Sequence, residues 1–506
     1  MRAPLGLAAV VALLTASAAR ADFPDFAACL AGPGAPVDPA CLAAFDADGD
    51  GDVDLFDFAA FQVDYVPPSP TGACCFDNFS CQILTEAECQ AAGGGGEWLG
   101  AYTACSQCAT VRIQRVTYGG SGNQIIKIDC PYPPCTSYST PQWLDDNHDG
   151  DVLDPNDHNY PVAYLRGTSV ALSNVRFYVQ PGGTLANVPV RGYGPDGLTF
   201  TGTGTLAGNY LTVAGTLTSS IALPNTVRYY PSFTINWEVA LDGINYYPAG
   251  ASGSRLYVTY AAPLGDKLES YYYISTPIAN GLSAEQAVID AVWSEFADLE
   301  VYNAHGQRLA YYRDVLCASY CTYYYAYELV YYTTSQCGGW ADLMIQCLRT
   351  QGIDTAVRVT ITPRGYPTLP LDCGSPPSSA SGFIVKNYNF TLGSFTPCST
   401  YPYKFNDPCG YYGAWPDPSC TDLTGLPGQD NPNPASWFGC HFIVKINLAY
   451  YDPSYGAGPF TGTHDEANLA WETAGIAGYW GVAQSSPTRC GVRKDVPQYR
   501  ETNFDH

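Results

Sequence analysis

The chain is short of positive charge. Its 506 residues carry 23 Lys and Arg against 47 Asp and Glu, a net charge of −24. Nucleic-acid binding needs a basic footprint, and none is visible. Long apolar runs are also missing: beyond the N-terminus no segment approaches the ~20 apolar residues of a membrane helix, so no membrane span is expected. The N-terminus reads differently. Arg2 precedes the apolar stretch "LGLAAVVALLTASAA", and an A-x-A site ends at Ala21. These features describe a secretory signal peptide over 1–21, hence a secreted, extracellular protein. Histidine is scarce, with six in all, so few candidate bases exist for any chemistry.

What is abundant fits that destination. Twenty cysteines suit an oxidising compartment. Forty tyrosines, 50 glycines and 39 prolines point to β-rich modules with many turns and a minority of helix. Roughly 485 residues after the signal exceed a single core. The pattern divides into a small EF-hand-type helical module (22–66), a disulfide-rich module (71–108), a β-sandwich (110–265) and an α+β domain (266–490) with an insertion at 363–435.

Between Asp22 and Pro70 lie ten Asp and no Lys or Arg. Within "DADGDGDVDLFDFAAFQ" (46–62), Asp46, Asp48 and Asp50 take loop positions one, three and five, and Gly51 takes the sharp turn at six. Asp52 at seven would offer its carbonyl, Asp54 at nine could act through water, and Asp57 falls at twelve. Alternating carboxylates with glycine at the turn match a helix-flanked Ca2+ loop with structural Ca2+ as cofactor; a disordered acidic linker is the plain alternative. The stretch resembles a type I dockerin, whose loops end in Asp and run into such a helix. An earlier helix, "DFAACL" (25–30), echoes "DFAAFQ" (57–62), and Cys29 and Cys41 could staple that half. The resemblance implies a cohesin-like partner, and so a component of a polysaccharide-degrading assembly.

Six cysteines between 71 and 108 imply three disulfides, because so short a segment has little core. Farther on, Val175, Phe177 and Val179, then Phe233, Ile235, Trp237, Val239 and Leu241, alternate with polar neighbours, and "RLYVTY" (255–260) adds a strand. Such period-two runs read as a β-sandwich. Inside it, Asp145, Asn147, Asp149 and Gly150 again fit positions one, three, five and six, with Asn156 at twelve. That stretch is either a second Ca2+ loop or a solvated acidic loop, with His148 and His158 at its surface.

Helical signals return after 280. Ser283 and Gln286 form a capping box, and Val288, Ile289, Val292, Trp293 and Phe296 make one apolar face. A tyrosine-dense stretch (317–337) either lines a groove or packs inward, and Cys317 and Cys321 are close enough to pair. In "TSQCGGWADLMIQCLRTQGI" (334–353), Gly338 and Gly339 break the chain and a helix starts near Trp340. Trp340, Leu343, Met344, Cys347 and Leu348 repeat at helical spacing, and Gly352 is the stop. Cys337 then lies at a helix N-terminus, where backbone dipoles favour an anion. Cys347 falls on the buried face. His441 opens an alternating run, and Asp452 follows eleven residues later at a turn. Antiparallel strands would return Asp452 beside His441, giving nucleophile, base and orienter. Taken singly, Cys337 could be a disulfide half, His441 an ordinary strand residue and Asp452 part of a plain turn. His464 is the fallback base.

"SQCGGWADLMIQCLRTQGIDTAVRV", then "HFIVKI", then "YYDPSYG" resemble, in this order, the transglutaminase-like superfamily of papain-type folds across ~280–480. The resemblance implies Cys337 as nucleophile, His441 as general base and Asp452 as orienter, acting on a peptide or protein substrate by hydrolysis or acyl transfer. The cysteines of the insertion, Cys373, Cys398, Cys409 and Cys420, would brace it, and Cys440 could pair. The backbone N–H of Cys337 and the side chain of Gln336 are the candidates for the oxyanion site. A non-catalytic extracellular adhesion protein is the competing reading.

Overall fold

The structure is a computed structural model. It describes residues 23–31, 35–64, 69–76, 79–93, 96–147, 149–152, 154, 157–311, 325–363, 382–385, 403–405, 428–431, 437–438, 441–482, 489–493 and 502–505. The signal segment 1–21, Cys317, Cys321, Cys373, Cys398, Cys409, Cys420, Cys440, His148 and Asn156 lie outside the described residues. The chain forms two compact units, Met1–Cys108 and Ala109–His506. It is an α+β protein with several sheets and five disulfides among the described residues. No described helix is long and apolar enough to cross a membrane.

In the first unit, helices Phe23–Cys29, Pro39–Phe45 and Leu55–Asp64 gather around Phe26, Phe45 and Val53. So small a core is stapled by Cys29–Cys41. The next segment builds a three-stranded sheet from Thr71–Cys75, Cys81–Thr85 and Glu97–Trp98. It carries three bridges, Cys74–Cys89, Cys75–Cys108 and Cys81–Cys105. Thr85 and Glu88 form a reciprocal capping box on its helix, Glu86–Ala92.

The second unit begins with a ten-stranded network. Strand Ala171–Tyr193 is 23 residues long and pairs with Thr110–Gly119 along its first half and with Arg228–Val239 along its last residues. One strand therefore serves two groups of partners, and the period-two run becomes one continuous hydrogen-bonded network. Val175, Phe177, Val179, Phe233, Ile235, Trp237 and Val239 are all buried. Leu241 falls beyond the strand, which ends at Val239. A fifth bridge, Cys130–Cys135, closes a loop that sequence spacing did not single out.

The last part packs helix Cys337–Thr350 against a five-stranded antiparallel sheet, with helices Glu269–Ile278, Glu285–Ala297 and Ala326–Tyr332 packed around that helix. That sheet runs Ala457–Thr461, Ala449–Asp452, His441–Ile446, Ala356–Pro363, Thr502–Asp505. Trp340, Leu343, Met344, Cys347 and Leu348 share one core with Val359, Ile361, Ile443 and Val444. Burying such side chains is worth roughly 1.5–3 kcal/mol each, which fixes the helix on the sheet.

Two local expectations need correction. Ser283 and Gln286 form no capping box: the helix starts at Glu285 after Ala284, without a side-chain cap. Gln286 Nε2 instead donates to Asp290 Oδ1 at 2.9 Å, one turn along. Gly338 and Gly339 do not break the chain, since the helix begins at Cys337 and includes both. Gly339 is needed for closeness rather than flexibility: a Cβ there would stand 2.3 Å from Ser335 Oγ.

Candidate functional site

Cys337 is the first residue of its helix and follows Gln336, whose side chain makes no capping bond. The Gly339 N–H already reaches the Gln336 carbonyl at 3.1 Å, so the donors this end of the helix offers, with its positive dipole, are the N–H groups of Cys337 and Gly338. The thiol is free and 4% exposed. At the other end Gly352 (φ 75°) stops the helix, and a Cβ there would lie 2.6 Å from the Ala261 Cβ.

His441 opens its strand opposite Ile361 and is fully buried. The neighbouring strand returns antiparallel and ends at Asp452, also fully buried. The His441 Nε2 to Asp452 Oδ2 distance is 2.7 Å. Asp452 Oδ1 accepts the Ser454 N–H at 3.2 Å. The Cys337 side chain lies near enough to the His441 ring to act on its pKa. With Nε2 facing the carboxylate, Nδ1 is the ring nitrogen left for the sulfur.

Electrostatics follow from this crowding. Burial pulls the His441 pKa down, but the Asp452 charge, then the Cys337 charge, and the hydrogen bond to Asp452 outweigh it, and the net shift is upward. The imidazolium is therefore the favoured form at neutral pH. The Trp471 ring stacks on His441 at 6.1 Å and 21°, and Tyr455 lies 5.8 Å away. An aromatic face beside a cation is attractive by roughly 0.5–2 kcal/mol. The chemistry open to such a group is thiolate attack on a carbonyl, with proton transfer through the ring.

Other candidates separate cleanly. Cys347 is free and fully buried, and burial pushes its thiol well above the ordinary range, which keeps it inert. His464 is half-exposed at the start of helix His464–Gly475, 3.2 Å from its neighbour Asp465. Sequence reasoning missed Trp471 and Gln429. Trp471 had a signal, since Ala467, Trp471 and Ala474 form a buried helical stripe. Gln429 had none, lying in a Pro- and Gly-rich stretch.

The acidic loop brings Asp46, Asp48 and Asp50 together, with ligand oxygens within 4.8 Å of one another. Asp52, Asp54 and Asp57 form a second, buried trio by the same measure. Asp57 ties the loop ends, accepting from Ala47 N at 2.7 Å and Asp54 N at 2.8 Å. Its pKa is lowered: burial raises it, but backbone donors at Asp54, Ala47 and Asp48 prevail. Gly51 takes φ 92° and its N–H reaches Asp46 Oδ2 at 3.2 Å.

The loop at 145–157 repeats these bonds. Gly150 N donates to Asp145 Oδ2 at 3.1 Å, Asp149 N to Asn147 Oδ1 at 2.9 Å and Asp151 N to Asp149 Oδ1 at 2.7 Å. Asp157, one place beyond position twelve, accepts from Asp146 N at 3.0 Å as Asp57 does from Ala47. His158 is half-exposed and contacts Asp146. A scan against protein-family models matches none, and no curated protein is significantly similar in sequence to this chain.

Proposed function

We propose that this protein is a secreted cysteine enzyme of transglutaminase-like type, acting on peptide or amide bonds through Cys337, His441 and Asp452. The observation that carries the reading is the buried 2.7 Å His441–Asp452 contact beside a free thiol at a helix N-terminus. The Cys337 sulfur attacks the amide carbonyl carbon, and the C–S bond forms as the carbonyl π pair moves onto oxygen. That oxyanion faces the first-turn N–H groups, with Cys337's own as the nearest donor. The pair returns, the C–N bond breaks, and His441 passes its proton to the leaving amine. Water or an amine then attacks the thioester carbonyl, losing a proton to the ring; the oxyanion pair returns, the C–S bond breaks, and the Cys337 thiolate leaves beside the imidazolium. Asp452 keeps the ring oriented and its charge compensated throughout.

The N-terminal segment is proposed as a dockerin-like Ca2+ module. Asp46, Asp48, Asp50 and Asp57, with the Asp52 carbonyl, would hold the ion, and the converging oxygens and the Gly51 turn fit a hard cation. Bound there, Ca2+ would supply folding energy rather than chemistry. A cohesin-like partner for this module is part of the proposal.

A second reading, a non-catalytic extracellular binding protein, is favoured by burial of all three side chains. One assay separates the two. Hydrolysis of a labelled unfolded protein, and incorporation of a labelled primary amine into it, are measured for the native chain and for Cys337→Ala. Turnover lost in the variant supports the enzyme; equal background in both supports the binding protein.

A further inference from the structure

We infer that Gln429 is a positioning residue for Asp452, its side-chain amide fixing the turn from which the carboxylate reaches His441. The inference rests on the triad reading. Gln429 is fully buried, and its Nε2 donates to the Pro453 carbonyl at 2.9 Å and to the Phe296 carbonyl at 2.6 Å. Both amide hydrogens are thus spent on backbone: one on the residue after Asp452, the other on the last turn of helix Glu285–Ala297. Its Oε1 is buried and makes no hydrogen bond among the described residues, where the group acts as a donor.

The backbone of the same residue adds a second hold. Gln429 N donates to the Ser454 carbonyl at 3.1 Å, and its own carbonyl accepts from Tyr311 N at 2.7 Å. Asn431 Nδ2 donates to the Tyr311 carbonyl at 2.7 Å, and Asp430 pairs with Arg308 at 3.3 Å. Residues 428–431 are therefore fastened on one side and grip the 453–454 carbonyls on the other.

The gap that Gln429 spans is set by contact. Gly456 (φ 61°) ends the turn, and a Cβ there would lie 2.9 Å from the Ala297 carbonyl oxygen and 3.1 Å from that of Phe296. The turn cannot move closer to the helix, and the Gln429 amide keeps it from moving away. Asp452 Oδ1 is bound by Ser454 N within this same turn. A shift of the 453–454 backbone therefore displaces the carboxylate.

The test compares the full chain with Gln429→Met, which keeps the volume but cannot donate, and with Asp452→Asn. Two readings are taken: the His441 imidazole titration by NMR of histidine-labelled protein, and the rate of Cys337 alkylation by iodoacetamide at pH 6. In Gln429→Met the titration midpoint falls toward that of Asp452→Asn and alkylation slows about tenfold. A purely structural role would lower the melting temperature and leave both readings in place. Should Gln429→Met not fold, Gln429→Asn, one methylene shorter, carries the same two readings. Asp452→Asn moving both while the Gln429 variant moves neither overturns the inference alone. Asp452→Asn moving neither overturns the triad and the inference together.

Discussion

Asp452→Asn isolates the charge behind the imidazole while keeping the shape. In the native site two effects oppose each other at His441: burial lowers its pKa, and the Asp452 and Cys337 charges with the hydrogen bond to Asp452 raise it. Removing the carboxylate charge deletes the largest raising contribution and leaves burial in place. The ring then becomes neutral near pH 7, and the sulfur loses its cationic partner. A buried charge-assisted pair is worth about 3 kcal/mol when one partner is removed, or roughly 100-fold in a rate that depends on it. The assay is the pseudo-first-order rate of Cys337 alkylation between pH 5 and 9. Asp452→Asn should react about 100-fold more slowly than the native chain at pH 6 and recover only as pH rises. Rates within twofold of the native chain across the range would refute the reasoning.

Trp471→Leu removes the ring stacked on His441, so the His441 titration midpoint should fall by up to about one unit; NMR titration checks it. His441 also links stability to pH. Its folded pKa lies above its unfolded one, so its contribution is complete below the ordinary imidazole value and is lost as pH rises through the raised one. Denaturant melts from pH 6 to 10 should show this decline and lose it in His441→Gln. Glu295 is raised to about 7, first by burial and then by Asp298. Glu295→Gln should stabilise the protein by about 1 kcal/mol at pH 8 and by nothing below pH ~4. Calcium at 100 times its dissociation constant should raise stability of the first unit by about 2.7 kcal/mol, and calorimetric melts with and without chelator should lose the difference in Asp46→Ala/Asp48→Ala.

The parts legible in the sequence were those governed by short-range rules. The helix carrying Cys337 declared itself through Trp340, Leu343, Met344, Cys347 and Leu348, all of which are buried. The disulfide count between 71 and 108 followed from segment length, although only the fold decides that Cys74 meets Cys89 and Cys75 meets Cys108. The capping box at Ser283 failed because the helix starts at Glu285, so Ser283 lies one residue before the N-cap position. Residues brought in from a distance were illegible. Gln429 reaches Phe296 across 133 positions, and nothing in its neighbourhood of prolines and glycines marks it. The 23-residue strand at 171–193 contains the run Pro181-Gly182-Gly183, which reads locally as an interruption and not as one long strand serving two sets of partners.

The most direct measurement is a peptide map of the native, unreduced protein after brief iodoacetamide treatment at pH 6. The account predicts one alkylated cysteine, Cys337, with Cys347 untouched, and loss of the adduct in His441→Ala. Recovery of Cys337 in a disulfide, or unmodified under conditions that label an added free thiol, would contradict it.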